Sequence, residues 1–352
     1  MKRKPIGVMR AAFVASALPV LTMLAAMLPG KASAEDFFAG KTISMSTHST
    51  PGAGYDTYLR LLSRHMGNHI PGRPSLVVIN QPGAGGLLAV NHAAKAAPQD
   101  GTFLTLVSQG LLVVEATGGK GLQVSLGKFK WLGNLSQSNN VTVTWAGSNV
   151  KTLQDAINRE VVVGATGAGS ATVVGPTLYN SLLGTRFKII QGYSGSGQIN
   201  LAMQRGELDG HANSTWTSIQ TMLPNEFRDG KVNVLIQTGL RKEADLPEVP
   251  LLSDLVRGEP KKEAIARFLS LAGAIARPLA APPGVPDDRV ALLRRAFDAT
   301  MKDPEFLAEA HAQRSEVDPM TGAETEAAVA RLLATPKSVI ADVQAALGGT
   351  LN

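Results

Sequence analysis

The 352-residue chain has no cysteine. That excludes disulfides, a thiol nucleophile, a thiolate metal site and the acylated cysteine of a lipoprotein. Long apolar runs are lacking too, with one exception from Ala11 to Leu28, interrupted by Pro19. Lys2, Arg3, Lys4 and Arg10 precede that run, and the small residues Ala32, Ser33 and Ala34 follow it. This layout predicts a signal peptide over residues 1–34, cleaved near Ala34, and a periplasmic mature chain. The rival is an uncleaved anchor, since the run is near the lower length limit for spanning. The proline and the small-residue site favour cleavage.

A strong charge imbalance is also missing once the signal peptide is set aside. The whole chain carries 34 basic and 28 acidic residues. Lys2, Arg3, Lys4, Arg10 and Lys31 all precede Glu35 and no acidic residue does, which leaves 29 against 28. The basic pI therefore offers no case for nucleic acid as a partner. The length beyond residue 34 suffices for two domains with sizeable cores.

What is present is alternation of short apolar runs, glycine-rich loops and helical stretches, which predicts an α/β fold. Strands are expected at 41–47, 75–80, 102–108, 160–165, 187–190 and 231–239. Helical stretches are expected after most of them, with Gly184 as a C-cap. An apolar stretch at 267–276 reads as a strand returning to a core, and Ala-, Leu- and charge-rich helices follow from about Pro286 to Leu347. Such a chain leaves one lobe, builds another and returns. Crossovers are placed near 142–147 and 267–274, giving a hinge with a ligand cleft.

Catalytic motifs fail one by one. "GKT" at Gly40–Thr42 lacks the upstream glycine of a Walker loop. "GAGSAT" at 167–172 lacks the last glycine of a dinucleotide fingerprint. "GYSGS" at 192–196 has Ser196 where a nucleophile elbow needs glycine. His65 and His69 lie four apart with no intervening glutamate, so they read as a solvated helix face and not as a metal site. No cofactor or metal is expected, and no enzyme. His48 and His211 border glycine loops and are candidates to touch a ligand, whereas Asp56 reads as a helix cap.

Anion binding fits better. Three loops, Gly52–Asp56, Gly83–Gly86 and Gly167–Ser170, run from a strand into a helix N-terminus, where unpaired N–H groups favour negative charge. No lysine or arginine cluster adjoins them, so a carboxylate suits better than a phosphate. Ser170 and Thr172 can present hydroxyls to the cleft, and Tyr193 and Trp216 follow loops at strand ends where a ring can stack on a ligand.

With these residues in view, the chain resembles the solute receptors of tripartite tricarboxylate transporters, the Bug-type periplasmic binding proteins. "STPGAGYDTYLRLLSRHM" looks like that family's first loop and helix. "VVINQPGAGGLLAVNHAAKAAPQDGTFLTL" looks like its asparagine–Pro–Gly-Ala-Gly-Gly segment, and "VVVGATGAGSATVVGPTLYNSLLGTRFKIIQGY" and "INLAMQRGELDG" like its second domain. The resemblance implies a type II periplasmic binding fold, two α/β lobes joined by a two-crossover hinge with the ligand in the cleft. Domain 1 would comprise 35–142 and 268–352, and domain 2 would comprise 143–267. It also implies a carboxylate gripped by backbone amides of two loops, one holding Thr50, Gly52, Ala53, Gly54 and Tyr55 and the other Pro82, Gly83, Ala84, Gly85 and Gly86. Thr166, Ala168, Gly169, Ser170, Thr172, Tyr193, Asn213 and Trp216 would lie opposite. Val173 and Val174 stand where the family commonly has a histidine, which suggests a more apolar ligand end. The implied role is a monomeric receptor delivering a small organic carboxylate to membrane permease subunits. The alternative is a sensor subunit presenting the same ligand to a signalling partner.

Overall fold

Strand and helix alternate along most of the chain in a computed structural model that describes Met1 and residues 37–349. The expected signal peptide, Met1 apart, and its cleavage point lie outside the described residues. The strands are β1 Thr42–Thr47, β2 Ser75–Asn80, β3 Phe103–Leu106, β4 Lys130–Asn134, β5 Asn140–Trp145, β6 Val161–Ala165, β7 Phe187–Gln191, β8 Gly210–Thr215, β9 Val232–Thr238, β10 Pro278–Ala281 and β11 Met320–Thr321. The helices are α1 Gly54–His65, α2 Leu87–Lys95, α3 Gln109–Ala116, α4 Leu153–Asn158, α5 Ala171–Leu183, α6 Ser196–Gln204 and α7 Trp216–Met222. They continue with α8 Pro224–Arg228, α9 Leu252–Leu255, α10 Pro260–Ala274, α11 Asp287–Thr300, α12 Pro304–Ala312, α13 Gly322–Leu333 and α14 Lys337–Leu347.

Two mixed sheets result. The first has the order β11-β4-β10-β3-β1-β2, with β1 parallel to both β2 and β3 and β10 antiparallel to β3 and β4. The second has the order β7-β6-β8-β5-β9, with β6 parallel to β7 and β8 and β5 antiparallel to β8 and β9. The chain passes from the first sheet to the second between Asn134 and Asn140, and returns between Thr238 and Pro278. One apolar cluster serves each sheet separately. A third joins residues of both, including Phe103 and Trp131 with Val163 and Leu178, through α3, α10 and α14. The C-terminal α14, grouped with the first lobe from sequence, packs against α5 and α10.

One expected strand is a helix. The stretch at 267–276 belongs to α10, which opens on Pro260 at its first turn and buries Ile265, Phe268, Leu269 and Ala272 on one face. Apolar runs this short fit either period, and the Ala and Leu content favours the helix. The polar strand β8, "GHANST", carries no hydrophobic signal, yet all six residues are buried. His211 Nδ1 meets Asn200, and Asn213 meets Tyr179 and the Ala171 carbonyl, whereas His211 Nε2 has no partner among the described residues. Gly184 does end α5, with φ 72°.

Candidate functional site

The register decides where the loops emerge. Thr47 pairs with Asn80 on one side and Leu106 on the other, so β1, β2 and β3 end at one level. Ala165 pairs with Gln191 at the end of β6 and β7. Ligands of open α/β sheets bind outside these carboxyl ends. A cavity of about 350 Å³ lies there, lined from the first sheet by His48, Ser49, Gly54, Tyr55, residues 82–86, Ser108 and Gln109. The second sheet contributes Thr166, residues 170–172, 192–196 and 213–215, and Ser218.

Most of the residues singled out from sequence meet there. Gly54, Tyr55, Pro82, Gly83, Ala84, Gly85, Gly86, Thr166, Ser170, Thr172, Tyr193 and Asn213 line the cavity. Thr50, Gly52 and Ala53 instead line a shallower groove beside it, with Gln198 and Leu201. Ala168 and Gly169 are not part of the lining, although a Cβ on Gly85 would lie 2.8 Å from the Gly169 carbonyl carbon. Trp216 is no stacking ring. It is buried edge-on to Phe227, and its indole N–H donates to both carboxylate oxygens of Asp245, at 2.9 and 3.0 Å. Val173 and Val174 are buried away from the cavity, so they do not shape a ligand end. His48 lines the cavity, whereas His211 sits in the core with Nδ1 2.8 Å from Asn200 Oδ1. His65 and His69 are not a solvated face: their Nε2 atoms meet Glu309 and Asp303, at 2.7 and 2.8 Å, and tie the end of α1 to α12.

The loops are held from behind. Asn80 Nδ2 donates to the Ser49 carbonyl (2.8 Å) and to Asp56 Oδ1 (2.7 Å), while Asp56 Oδ2 accepts from Gly52 N and Arg60 Nε, both 2.8 Å. The asparagine of "INQPGAGG" thus fastens the second glycine loop's root to the first. Residues 83–86 all have positive φ, and Ala84 is the one non-glycine among them. The glycines also let the two sides touch. A Cβ on Gly85 would lie 2.6 Å from Ser170 N, one on Gly110 would lie 2.5 Å from the Gly169 carbonyl oxygen, and one on Gly54 would overlap Ser218 Oγ.

Helices α1, α3, α5 and α6 open onto this cavity, and none has a side-chain cap. The capping hydrogen bonds made by Thr152, Asp303 and Thr321 all belong to helices elsewhere. First-turn amides have no intrahelical acceptor, so the cavity gathers N–H groups and partial positive charge. No Asp, Glu, Lys or Arg side chain lines it. Burial, aided by the charge of Arg277, lowers His48 to about 4, so its ring is neutral near pH 7. Its Nδ1 has no partner among the described residues, and neither has Gln109 Oε1.

These features coincide with a known family. Residues 60–344 match the tripartite tricarboxylate transporter family receptor, TctC. The chain belongs to this family. Its members are receptors and not enzymes, which agrees with the failed catalytic motifs. No curated protein matches the chain. Among solved structures, this TctC receptor is similar to a protein of R. palustris solved with adipate, with a TM-score of 0.68 and 17% identity over 86% of this chain and 97% of that one. It is also similar to MatC of Rhodopseudomonas palustris, solved with malate, with a TM-score of 0.67 and 20% identity over 88% and 100%. The periplasmic binding protein BugD gives 0.62 and 17% over 89% and 96%. The fold is that of periplasmic binding proteins, as expected.

The sequence does not single out Ser108, Gln109, Ser194, Gly195 or Ser218, which also line the cavity. "SQG" at 108–110 repeats the strand-to-helix signature of the glycine loops with serine as its first residue, so that signal was available. Ser218 lies within α7 and carries none.

Proposed function

We propose that this TctC receptor captures a small organic carboxylate in the periplasm, through backbone amides of the Thr50–Tyr55 and Pro82–Gly86 loops, and delivers it to membrane permease subunits of a tripartite transporter. The observation that carries the proposal is the convergence of uncapped helix N-termini on a cavity without charged lining. Within the first loop, Gly54 and Tyr55 make the grip, and Thr50, Gly52 and Ala53 shape the entrance groove. The two sheets are the two lobes, the chain acts as a monomer, and the signal peptide is removed near Ala34. Charge-assisted hydrogen bonds contribute about 1.5–3 kcal/mol each. Three or four of them reach the roughly 8 kcal/mol of micromolar affinity after association costs. Because relatives were solved with malate and adipate, dicarboxylates of that size are the first candidates.

The test is a thermal-shift screen of dicarboxylates, tricarboxylates, aromatic acids and amino acids. A carboxylate that binds only the native state raises Tm, increasingly with the logarithm of its concentration above Kd. The expected hit is a C4–C6 dicarboxylate, and a panel without any carboxylate hit refutes the proposal.

A further inference from the structure

Arg277 immediately precedes β10 and is completely buried, yet no carboxylate pairs with it among the described residues. Isolated buried charge is costly, and proteins ordinarily neutralise it with a partner. Here Nη1 donates to the Ala276 carbonyl (2.8 Å), and Nη2 donates to Ser218 Oγ (2.6 Å) and Thr215 Oγ1 (2.8 Å). Nε has no acceptor among the described residues. The guanidinium carbon lies 4.3 Å from the Tyr55 ring centre and 5.0 Å from that of Tyr58. Ser218, Thr215 and Tyr55 all line the cavity, so the cation is one side chain behind its wall.

The hydroxyl directions follow from counting. Ser218 Oγ accepts from Arg277 Nη2 and also from Thr215 Oγ1 (2.8 Å), which commits both of its lone pairs. Its own proton has no acceptor among the described residues. That proton belongs to an oxygen polarised by a cation, set against Gly54 at the N-terminus of α1. A buried guanidinium, a polarised hydroxyl and a 12-residue helix N-terminus therefore converge on one corner of the cavity.

We infer that Arg277 is the counter-charge of the bound anion, acting through Ser218 as a positioning and specificity-determining residue. The inference deepens the carboxylate-receptor reading and rests on it: an anionic oxygen accepts from Ser218 Oγ–H and from the first-turn amides of α1, and completes the ion pair that Arg277 otherwise lacks. A neutral isostere of the same shape leaves the guanidinium unpaired and is rejected.

Two measurements test this. The first needs no ligand: the His48 ring is followed by NMR through an acid titration. Removing the cation in Arg277→Gln should raise the His48 pKa, and Arg277→Lys should leave it near the wild-type value. An unmoved His48 in Arg277→Gln overturns the inference. The second is calorimetry with malate and adipate as probes. Arg277→Gln should weaken binding at least tenfold and Ser218→Ala at least fivefold, and the double variant should be no weaker than Arg277→Gln, because the two residues act as one unit. Affinity within twofold of wild type in a folded Arg277→Gln overturns the inference. If that variant does not fold, unchanged affinity in Ser218→Ala does so instead. A wild type that binds no carboxylate defeats the receptor reading separately, while the His48 titration still decides whether the charge reaches the cavity.

Discussion

The glycines of "INQPGAGG" do two things, and substitution separates them. Gly85 has φ 64°, and a Cβ there would lie 2.6 Å from Ser170 N on the opposite side of the cleft. Gly52 has φ 79° and open space around its would-be Cβ. Alanine at either site bears the left-handed backbone cost of about 1–2 kcal/mol. Only at Gly85 does it also push the two loops apart. Gly85→Ala should therefore weaken carboxylate binding by tenfold or more in a folded protein, while Gly52→Ala changes affinity less than threefold. Calorimetry on both variants checks the difference, and equal affinities would remove the close approach as the reason for glycine. From sequence alone the bareness of this loop suggested access for a ligand oxygen. That the loops of the two sheets meet backbone to backbone was not legible, because residues 85 and 170 are brought together only by the fold. Arg277 was illegible for the same reason: one arginine in "ARPL" gives no sign that Thr215, Thr217, Ser218 and two tyrosines will surround it.

At the level of elements, the junction of β1, β2 and α1 is fixed by one carboxylate. Burial alone would raise the Asp56 carboxyl, but hydrogen bonds from Arg60, Asn80 and Gly52 outweigh it and hold its pKa below the ordinary aspartate value. A depressed folded-state pKa contributes stability that is fully present above the unfolded value, near 3.9, and is lost as pH falls through the folded one. Urea denaturation should thus show the wild type losing stability below about pH 4. Asp56→Asn should be less stable at pH 7 by about 2 kcal/mol, with the gap closing toward pH 2. A constant gap across that range would contradict this role. The sequence reads Asp56 as a helix cap, but the cap position of α1 is Ala53 and has no side-chain cap; Asp56 lies in the first turn and accepts from Gly52, Arg60 and Asn80 instead. Nor did the sequence mark β8 or α10, because a buried polar strand lacks the alternation that identifies strands and a short apolar run fits both periods.

Two kinds of contact join the two sheets, an apolar seam and the glycine contacts at the cleft. The seam joins both sheets through α3, α10 and α14, and its residues are almost dry. The cleft side meets through backbone loops and hydroxyls around the cavity. Separating the apolar side would expose side chains worth about 25 cal/mol per Å² of apolar surface, whereas the cleft side gives up mainly polar contacts to water. Opening is therefore expected to pivot about α10 and the 135–139 crossover, with α14 staying on α5. Ligand that bridges both sides selects the closed arrangement in proportion to its extra contacts there. Small-angle scattering should record a smaller radius of gyration on saturation with a bound dicarboxylate. Arg277→Gln and Gly85→Ala, which weaken the bridge at separate contacts, should each require more ligand for the same compaction. An unchanged radius with ligand demonstrably bound would mean that the cavity fills without any hinge motion.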